Sequence, residues 1–266
     1  MIALGLGQPA QAKEDAWIRA DTRNFVVYSD GSAQDLSAFA LDLERFDAVL
    51  RAMFDVPGEA TPNRLSVYML PSGGKVASLA GDRSGTLKGF YMPRREGSLA
   101  VTTREDSQGG AGLSGRTVLF HEYTHHFMFR HFASAYPPWY VEGLAEYLST
   151  TRFGADGSWS YGNPALFRIG DLRTGTAMPI DTVLFGNPSA MDPRERRVFY
   201  ARSWLLVHML HANPELERQL ERFLELIRSG SDSRTAATEA FGDLAKLGAA
   251  LDAYSASSLS GRQGAE

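Results

Sequence analysis

The chain has 266 residues, of which 44% are hydrophobic and 22% are charged, and its formal net charge is -4. This composition is typical of a globular protein of one domain or two packed lobes. The slightly acidic balance excludes an electrostatic case for binding nucleic acid or an anionic membrane surface. Cysteine is absent, so any metal ligands must be histidines or carboxylates. No apolar run is long enough to span a bilayer.

Residues 1–16 resemble the end of a secretory signal peptide. A short apolar stretch leads into Ala10, Gln11 and Ala12, a small-residue pattern typical of a cleavage site, although the basic region is missing. We therefore expect a periplasmic or secreted protein. The alternatives are an irregular N-terminus and a cytoplasmic location.

Strand patterns dominate the first part of the chain, 17–112, which is predicted to be an α/β lobe. Segments of β-branched and aromatic residues, or of alternating polarity, are typical of strands. One segment has apolar residues at helical spacing, and a glycine-rich loop closes this part. The strands are predicted at 24–29, 64–70, 87–92 and 98–103, the helix at 35–54 and the loop at 106–115.

Helical patterns dominate the second part, 113–255. A small mixed sheet with one helix, followed by a mostly helical lobe, is an α+β fold. Residues 154–162 are predicted to form a loop, and 256–266 a disordered tail. The helices are predicted at 117–132, 138–150, 194–211 and 214–228, with two short helices ending near Tyr254.

The segment His121-Glu122-Tyr123-Thr124-His125 has the pattern H-E-x-x-H within a predicted helix. Residues four apart lie about 40° apart around a helix and one turn along it, so both imidazoles can reach one cation. The carboxylate of Glu122 can reach a water on that metal and act as its general base. Apolar neighbours predict a buried helix, where unpaired histidines and a glutamate are costly. A metal removes that cost, which makes an accidental match the weaker alternative.

A third ligand is expected from the next helix, because catalytic zinc usually has three protein ligands and one open position. That helix contains Glu142 and Glu146, again four residues apart, so both can face the first helix. One interpretation is a metal ligand together with a carboxylate that supports a ligating histidine. The other is a solvated acidic stripe. Two imidazoles and a carboxylate suit Zn²⁺.

H-E-x-x-H followed by W-x-x-E-G-x-A-E-Y from Trp139 resembles the gluzincins, the superfamily of thermolysin and aminopeptidase N, and especially its compact bacterial peptidase MA-like members. The resemblance covers about 116–210. It implies a thermolysin-like zincin fold, in which Glu142 is the third zinc ligand and Glu146 supports a ligating histidine.

A further segment, FYARSWLLV at 199–207, resembles the helix that carries the transition-state tyrosine in the aminopeptidase branch. The resemblance implies that Tyr200 donates a hydrogen bond to the oxyanion, a role that suits a neutral phenol. The alternative is a core tyrosine. His208, two turns further on, is a candidate auxiliary donor, for which a structural role is the stronger alternative. That branch also has an acid in a G-x-M-E-N segment, and 89–93 lacks it, which favours an endopeptidase.

These patterns predict a zinc-dependent peptidase that uses Glu122 as general base. Its substrate would be a peptide or protein, which by analogy with the superfamily lies extended beside an edge strand at 98–103. One alternative is a non-proteolytic zinc-binding scaffold or peptide-binding module, against which an intact Glu122 argues. The other is a metal-dependent hydrolase of another amide or an ester.

Overall fold

The computed structural model describes residues 17–58, 63–83, 85, 87–105, 113–154, 156–174, 178–256 and 261–263. The N-terminal part is a small mixed sheet with two helices, and the remainder is mostly helical. This architecture confirms the predicted α+β class. The predicted signal-like segment lies outside the described residues.

A five-stranded sheet in the order β1-β2-β3-β5-β4 forms the N-terminal part. The three inner strands run parallel, while β1 and β4 are antiparallel to their neighbours. The buried inner strands are rich in valine and aromatic residues, as such strands usually are. The elements are β1 (Ile18–Asp21), β2 (Phe25–Ser29), α1 (Ala33–Met53), β3 (Leu65–Leu70), α2 (Gly73–Ala80), β4 (Gly89–Met92) and β5 (Leu99–Thr103).

The strand order corrects the predicted edge strand. The segment 98–103 forms β5, which is paired with β3 on one side and with β4 on the other. Four of its five residues are buried, as is typical of an internal strand. The outer strand beside it is β4, Gly89–Met92, whose residues are mostly half-buried or exposed, and β1 is the outer strand on the opposite side of the sheet.

Helices build most of the rest of the described chain, and none of them is both long and apolar enough to cross a membrane. The central pair is α4 and α7, which pack against each other over most of their lengths. The elements are α3 (Gly115–His131), α4 (Pro138–Ser149), β6 (Arg152–Phe153), β7 (Trp159–Tyr161), α5 (Leu166–Thr174), α6 (Ile180–Phe185), a 3-10 turn (Pro188–Ala190), α7 (Pro193–Leu210), α8 (Pro214–Arg228), α9 (Ser233–Phe241), α10 (Leu244–Tyr254) and β8 (Arg262–Gln263).

Several short elements differ from the sequence predictions. The predicted loop 154–162 contains β7, and the predicted disordered tail 256–266 contains β8, which pairs with β7. The glycine-rich stretch after β3 forms α2, where the side chain of Ser72 accepts a hydrogen bond from the N–H of Lys75. The sequence patterns do not predict β1, α5 and α6 either. Elements this short depend on pairing and packing more than on local pattern.

The sheet and α1 fix the position of α3. Of the predicted loop at 106–115, only 113–115 lie in the described ranges, and Gly115 already begins α3. A Cβ on Gly115 would lie 1.6 Å from the carbonyl oxygen of Thr103, so only glycine allows this approach to β5. On the α1 side, the hydroxyl of Tyr123 donates to Asp47 at 2.6 Å. The helix that carries the HExxH motif is therefore held against the sheet on one side and against α1 on another.

Candidate metal centre

The two histidines of the HExxH motif converge on one point beside α3. Nε2 of His121 and Nε2 of His125 are 3.0 Å apart, and the two rings meet edge to face. Both side chains are mostly buried, with 17% and 12% of their surface exposed. This is the arrangement that the i, i+4 spacing predicts.

Glu142 reaches the same point from α4. Its Oε2 lies 3.4 Å from Nε2 of His121 and 3.5 Å from Nε2 of His125. The next residue, Gly143, allows α4 to pack tightly on α7, because a Cβ there would lie 2.5 Å from the carbonyl oxygen of Ser203. The Glu-Gly pair therefore combines a side chain directed at α3 with a backbone that fits against α7.

The three atoms fit a divalent metal ion. A tetrahedral ion with bonds of about 2.0–2.2 Å has its ligand atoms about 3.3–3.6 Å apart. The two distances from Glu142, 3.4 and 3.5 Å, lie in this range, and the 3.0 Å between the two histidine nitrogens is slightly shorter. Two ring nitrogens that face each other also need either a proton or a cation between them. Within the described ranges, these residues form the one group of three or more histidines, cysteines and acids so arranged: His121, His125 and Glu142.

Electrostatics favour positive charge at this point. Burial works to lower the pKa of His121, but the hydrogen bond to Glu142 and the charges of Glu146 and Glu122 outweigh it and raise that pKa to about 9. Burial works to raise the pKa of Glu142, but its hydrogen bonds to His121 and His125 hold that pKa well below its usual range. The centre attracts a cation even before a metal is considered.

Glu146 lies behind His121 and is 2% exposed. Its Oε1 is 3.6 Å from Nδ1 of His121, on the side of the ring that faces away from the ligand point. The guanidinium of Arg168 in α5 donates to the same oxygen. The charge of Glu146 helps to raise the pKa of His121, and a buried carboxylate in this position is the kind of partner that orients metal-bound histidines in other proteins.

Arg168 is a site residue that sequence reasoning misses. It is mostly buried, pairs with Glu146 and lies over the ring of Tyr200 at 5.6 Å. Its helix has apolar residues at 166, 169 and 172, a helical spacing that could have revealed α5. The pair of Arg168 and Glu146 joins residues 22 positions apart, so no local sequence pattern predicts it.

The two predicted catalytic residues lie around this centre. Glu122 is half-buried on α3, and its charge is one of those that raise the pKa of His121. Burial and the nearby charge of Glu142 raise the pKa of Tyr200 to about 12. The phenol of Tyr200 therefore keeps its proton at neutral pH and can donate it in a hydrogen bond.

No model of a known protein family matches this chain, and no curated protein matches its sequence. The predicted resemblance to the gluzincins therefore stays a prediction.

His208 belongs to a different part of the molecule. Its Nδ1 lies 2.8 Å from the hydroxyl of Tyr254, and its ring packs edge-on against Tyr147. These contacts line a polar cavity of about 180 Å³, and they do not support the predicted auxiliary role at the metal centre. Five of the polar residues that line this cavity are called the C-terminal cluster below: His208, His211, Glu217, Tyr254 and Arg262.

The edge strand is fastened to the HExxH helix. The hydroxyl of Tyr91 on β4 lies 2.9 Å from Nδ1 of His126 and 3.1 Å from Oγ of Ser98. Burial and the positive charge of Arg130 lower the pKa of His126 to about 4, so this histidine is neutral at pH 7. His126 points away from the ligand point, and its place in the structure is to connect α3 with β4.

Proposed function

We propose that this chain is a zinc-dependent peptidase that hydrolyses internal peptide bonds. The observation that carries the proposal is the convergence of His121, His125 and Glu142 on one point, with Glu122 next to the first ligand and outside the ligand set. A metal that only held two helices together would need no such carboxylate and would usually have four protein ligands. The proposal extends the sequence prediction and awaits a test of activity.

Zinc is the metal that this ligand set favours, because two imidazoles and one carboxylate suit its preference for nitrogen and oxygen ligands in a tetrahedral site. When bound, the ion would supply a Lewis acid that acidifies water and polarises a carbonyl group. His121, His125 and Glu142 would hold it. Glu146 and Arg168 would keep His121 in the orientation and tautomer that this requires.

Two side chains would move or hold protons during hydrolysis. The carboxylate of Glu122 takes a proton from the attacking water and delivers it to the leaving nitrogen. The hydroxyl of Tyr200 donates a hydrogen bond to the carbonyl oxygen of the substrate as negative charge develops there. A neutral phenol can do this at physiological pH, and the raised pKa of Tyr200 supports that protonation state.

The substrate would lie extended along β4. In the described part of the chain β4 is the outermost strand of the sheet on this side. Its backbone N–H and C=O groups can pair with an added strand, a common way of binding peptides. Tyr91 fastens this edge to α3 and so holds it beside the HExxH helix.

The test is a digest of a peptide library by the zinc-loaded protein, with and without a chelator, read by mass spectrometry. We expect internal cleavage that the chelator abolishes. The variant Glu122→Gln should retain zinc and lose cleavage by about 10²- to 10⁴-fold. Glu221→Gln, which changes an exposed glutamate on α8, should cleave like the wild type.

Two results would overturn the proposal. If the wild type binds zinc but cleaves no peptide, a zinc-binding scaffold or a hydrolase of other amides or esters replaces it, and ester and amide panels separate those two. If Glu122→Gln cleaves as fast as the wild type, Glu122 is not the general base.

A further inference from the structure

Phe129 is a large apolar side chain in an unexpected place. It is 69% exposed, although the helix that carries it is buried on most sides. Its ring centroid is 6.5 Å from that of His125. An exposed aromatic ring beside a cluster of polar, partly buried side chains is a candidate for contact with a ligand.

The position of Phe129 on α3 places it on the same side of the helix as the proposed general base and a metal ligand. Glu122, His125 and Phe129 are spaced i, i+3 and i+7, so they share one face of the helix. The same face borders β4, because Val118 contacts the backbone of Gly89. Phe129 therefore continues the row formed by the proposed base and a metal ligand, along the border with the edge strand.

The direction of β4 determines which side of the scissile bond Phe129 meets. Gly89 lies against Val118 and Tyr91 against His126, so β4 and α3 run in the same direction. A peptide that pairs antiparallel with β4, the slightly more stable arrangement, then runs against α3. Its amino-terminal part lies towards Phe129.

The spacing of Glu122 and Phe129 along α3 indicates how far from the scissile bond Phe129 would meet the substrate. Seven residues of helix separate Glu122 from Phe129, a rise of about 10 Å. An extended peptide covers about 3.3 Å per residue, so this rise corresponds to about three residues of substrate. Phe129 would therefore meet a substrate side chain about two to three residues before the scissile bond.

We propose that Phe129 is a specificity-determining residue that selects a large apolar side chain on the amino-terminal side of the scissile bond. The proposal rests on the proposed peptidase function. The ring offers an apolar surface that the described chain leaves uncovered, and an apolar substrate side chain would cover it. A small or polar side chain would gain nothing there.

The test compares cleavage maps of one peptide library for zinc-loaded wild type, Phe129→Ala and Phe129→Tyr. Wild type should favour large apolar residues two to three positions before the cut. Phe129→Ala should lose about tenfold in kcat/KM for those substrates and almost nothing for serine or glycine counterparts. Phe129→Tyr should retain the preference, because it keeps the aromatic face. Leu79→Ala, at a 62% exposed apolar residue on α2, is the matched control and should leave the map unchanged.

Three outcomes would overturn the proposal while leaving the peptidase function intact. In the first, wild type shows no preference for large apolar residues before the cut. In the second, Phe129→Ala keeps that preference. In the third, the preference for large apolar residues lies only on the carboxyl-terminal side of the cut. If the wild type cleaves nothing, the peptidase function itself fails and the subsite fails with it. Zinc content and melting temperature of each variant show that the exposed substitutions leave the fold and the centre in place.

Discussion

The metal centre and the C-terminal cluster contain nearly the same residue types, but their charges are balanced differently. In the C-terminal cluster, Glu217 already pairs with Arg262 at 2.8 Å and with His211 at 3.0 Å. In the metal centre, the ion pairs that Glu142 makes within the described part of the chain are with the two histidines. Two histidines and a glutamate therefore mark a metal site only when their atoms converge and no fixed cation already neutralises the acid.

The largest difference between the two regions should appear when zinc is added. The proposal has zinc bind the folded centre and not the unfolded chain, so at a thousandfold excess over Kd zinc should raise the free energy of unfolding by about 4 kcal/mol. Denaturant unfolding with zinc or with a chelator measures this increment. His121→Ala should abolish the increment, whereas His211→Ala should keep it. An equal increment in both variants would contradict the comparison.

Each region also has an arginine–glutamate pair, and their burial differs. The side chains of Arg168 and Glu146 are 13% and 2% exposed. Arg168→Met would leave a buried carboxylate without its cation, which should lower the free energy of unfolding by about 3 kcal/mol. Chemical denaturation of the metal-free protein measures the loss. A change below about 1 kcal/mol would show that solvent reaches Glu146 more easily than its burial indicates.

The tyrosines of the two regions should differ in their effect on the reaction. Tyr200→Phe removes the proposed donor to the oxyanion, so kcat should fall about a hundredfold, or about 2.7 kcal/mol, while KM changes little. Tyr254→Phe removes the hydroxyl that contacts His208 and should leave kcat unchanged. Steady-state kinetics on one good peptide substrate make the comparison. If the two substitutions change kcat to a similar extent, Tyr200 is a core tyrosine, which is the alternative to the oxyanion role in the sequence analysis.

The smallest effect is expected at the exposed pair. Arg262 and Glu217 have side chains that are 41% and 30% exposed, so Arg262→Ala should cost less than about 1 kcal/mol. Burial works to raise the pKa of Glu217, but its hydrogen bonds to His211 and Arg262 lower it below its usual 4.5. The stabilisation is therefore present above pH 4.5 and is lost as the pH falls through that lowered pKa. The free energies of unfolding of wild type and Arg262→Ala should become equal in acid. A difference between them that grows as the pH falls would contradict the predicted pH dependence.

Local spacing makes the core of the site predictable. The i, i+4 pairs His121/His125 and Glu142/Glu146 are fixed by helix geometry once the helices are recognised, because side chains four apart share a face. The glycine after Glu142 adds a second local signal, since α4 and α7 approach too closely for any other residue. These features need no knowledge of the rest of the chain.

Tertiary contacts decide what the sequence does not reveal. The sequence patterns predict the strands at 87–92 and 98–103 but not which of them is the outer one, because strand order depends on the connections between strands. Arg168 reaches Glu146 through the packing of α5, and Tyr91 reaches His126 across 35 positions. The short pairing of β7 with β8 has too few residues for a periodic pattern.

The most direct test of the central claim is the metal content of the purified protein, measured by elemental analysis for wild type, Glu142→Gln and Glu217→Gln after equal exposure to zinc and desalting. We predict one zinc per chain in wild type and in Glu217→Gln, and a large loss in Glu142→Gln. Wild type without stoichiometric metal, or Glu142→Gln with as much zinc as wild type, would contradict the claim that His121, His125 and Glu142 form a metal centre.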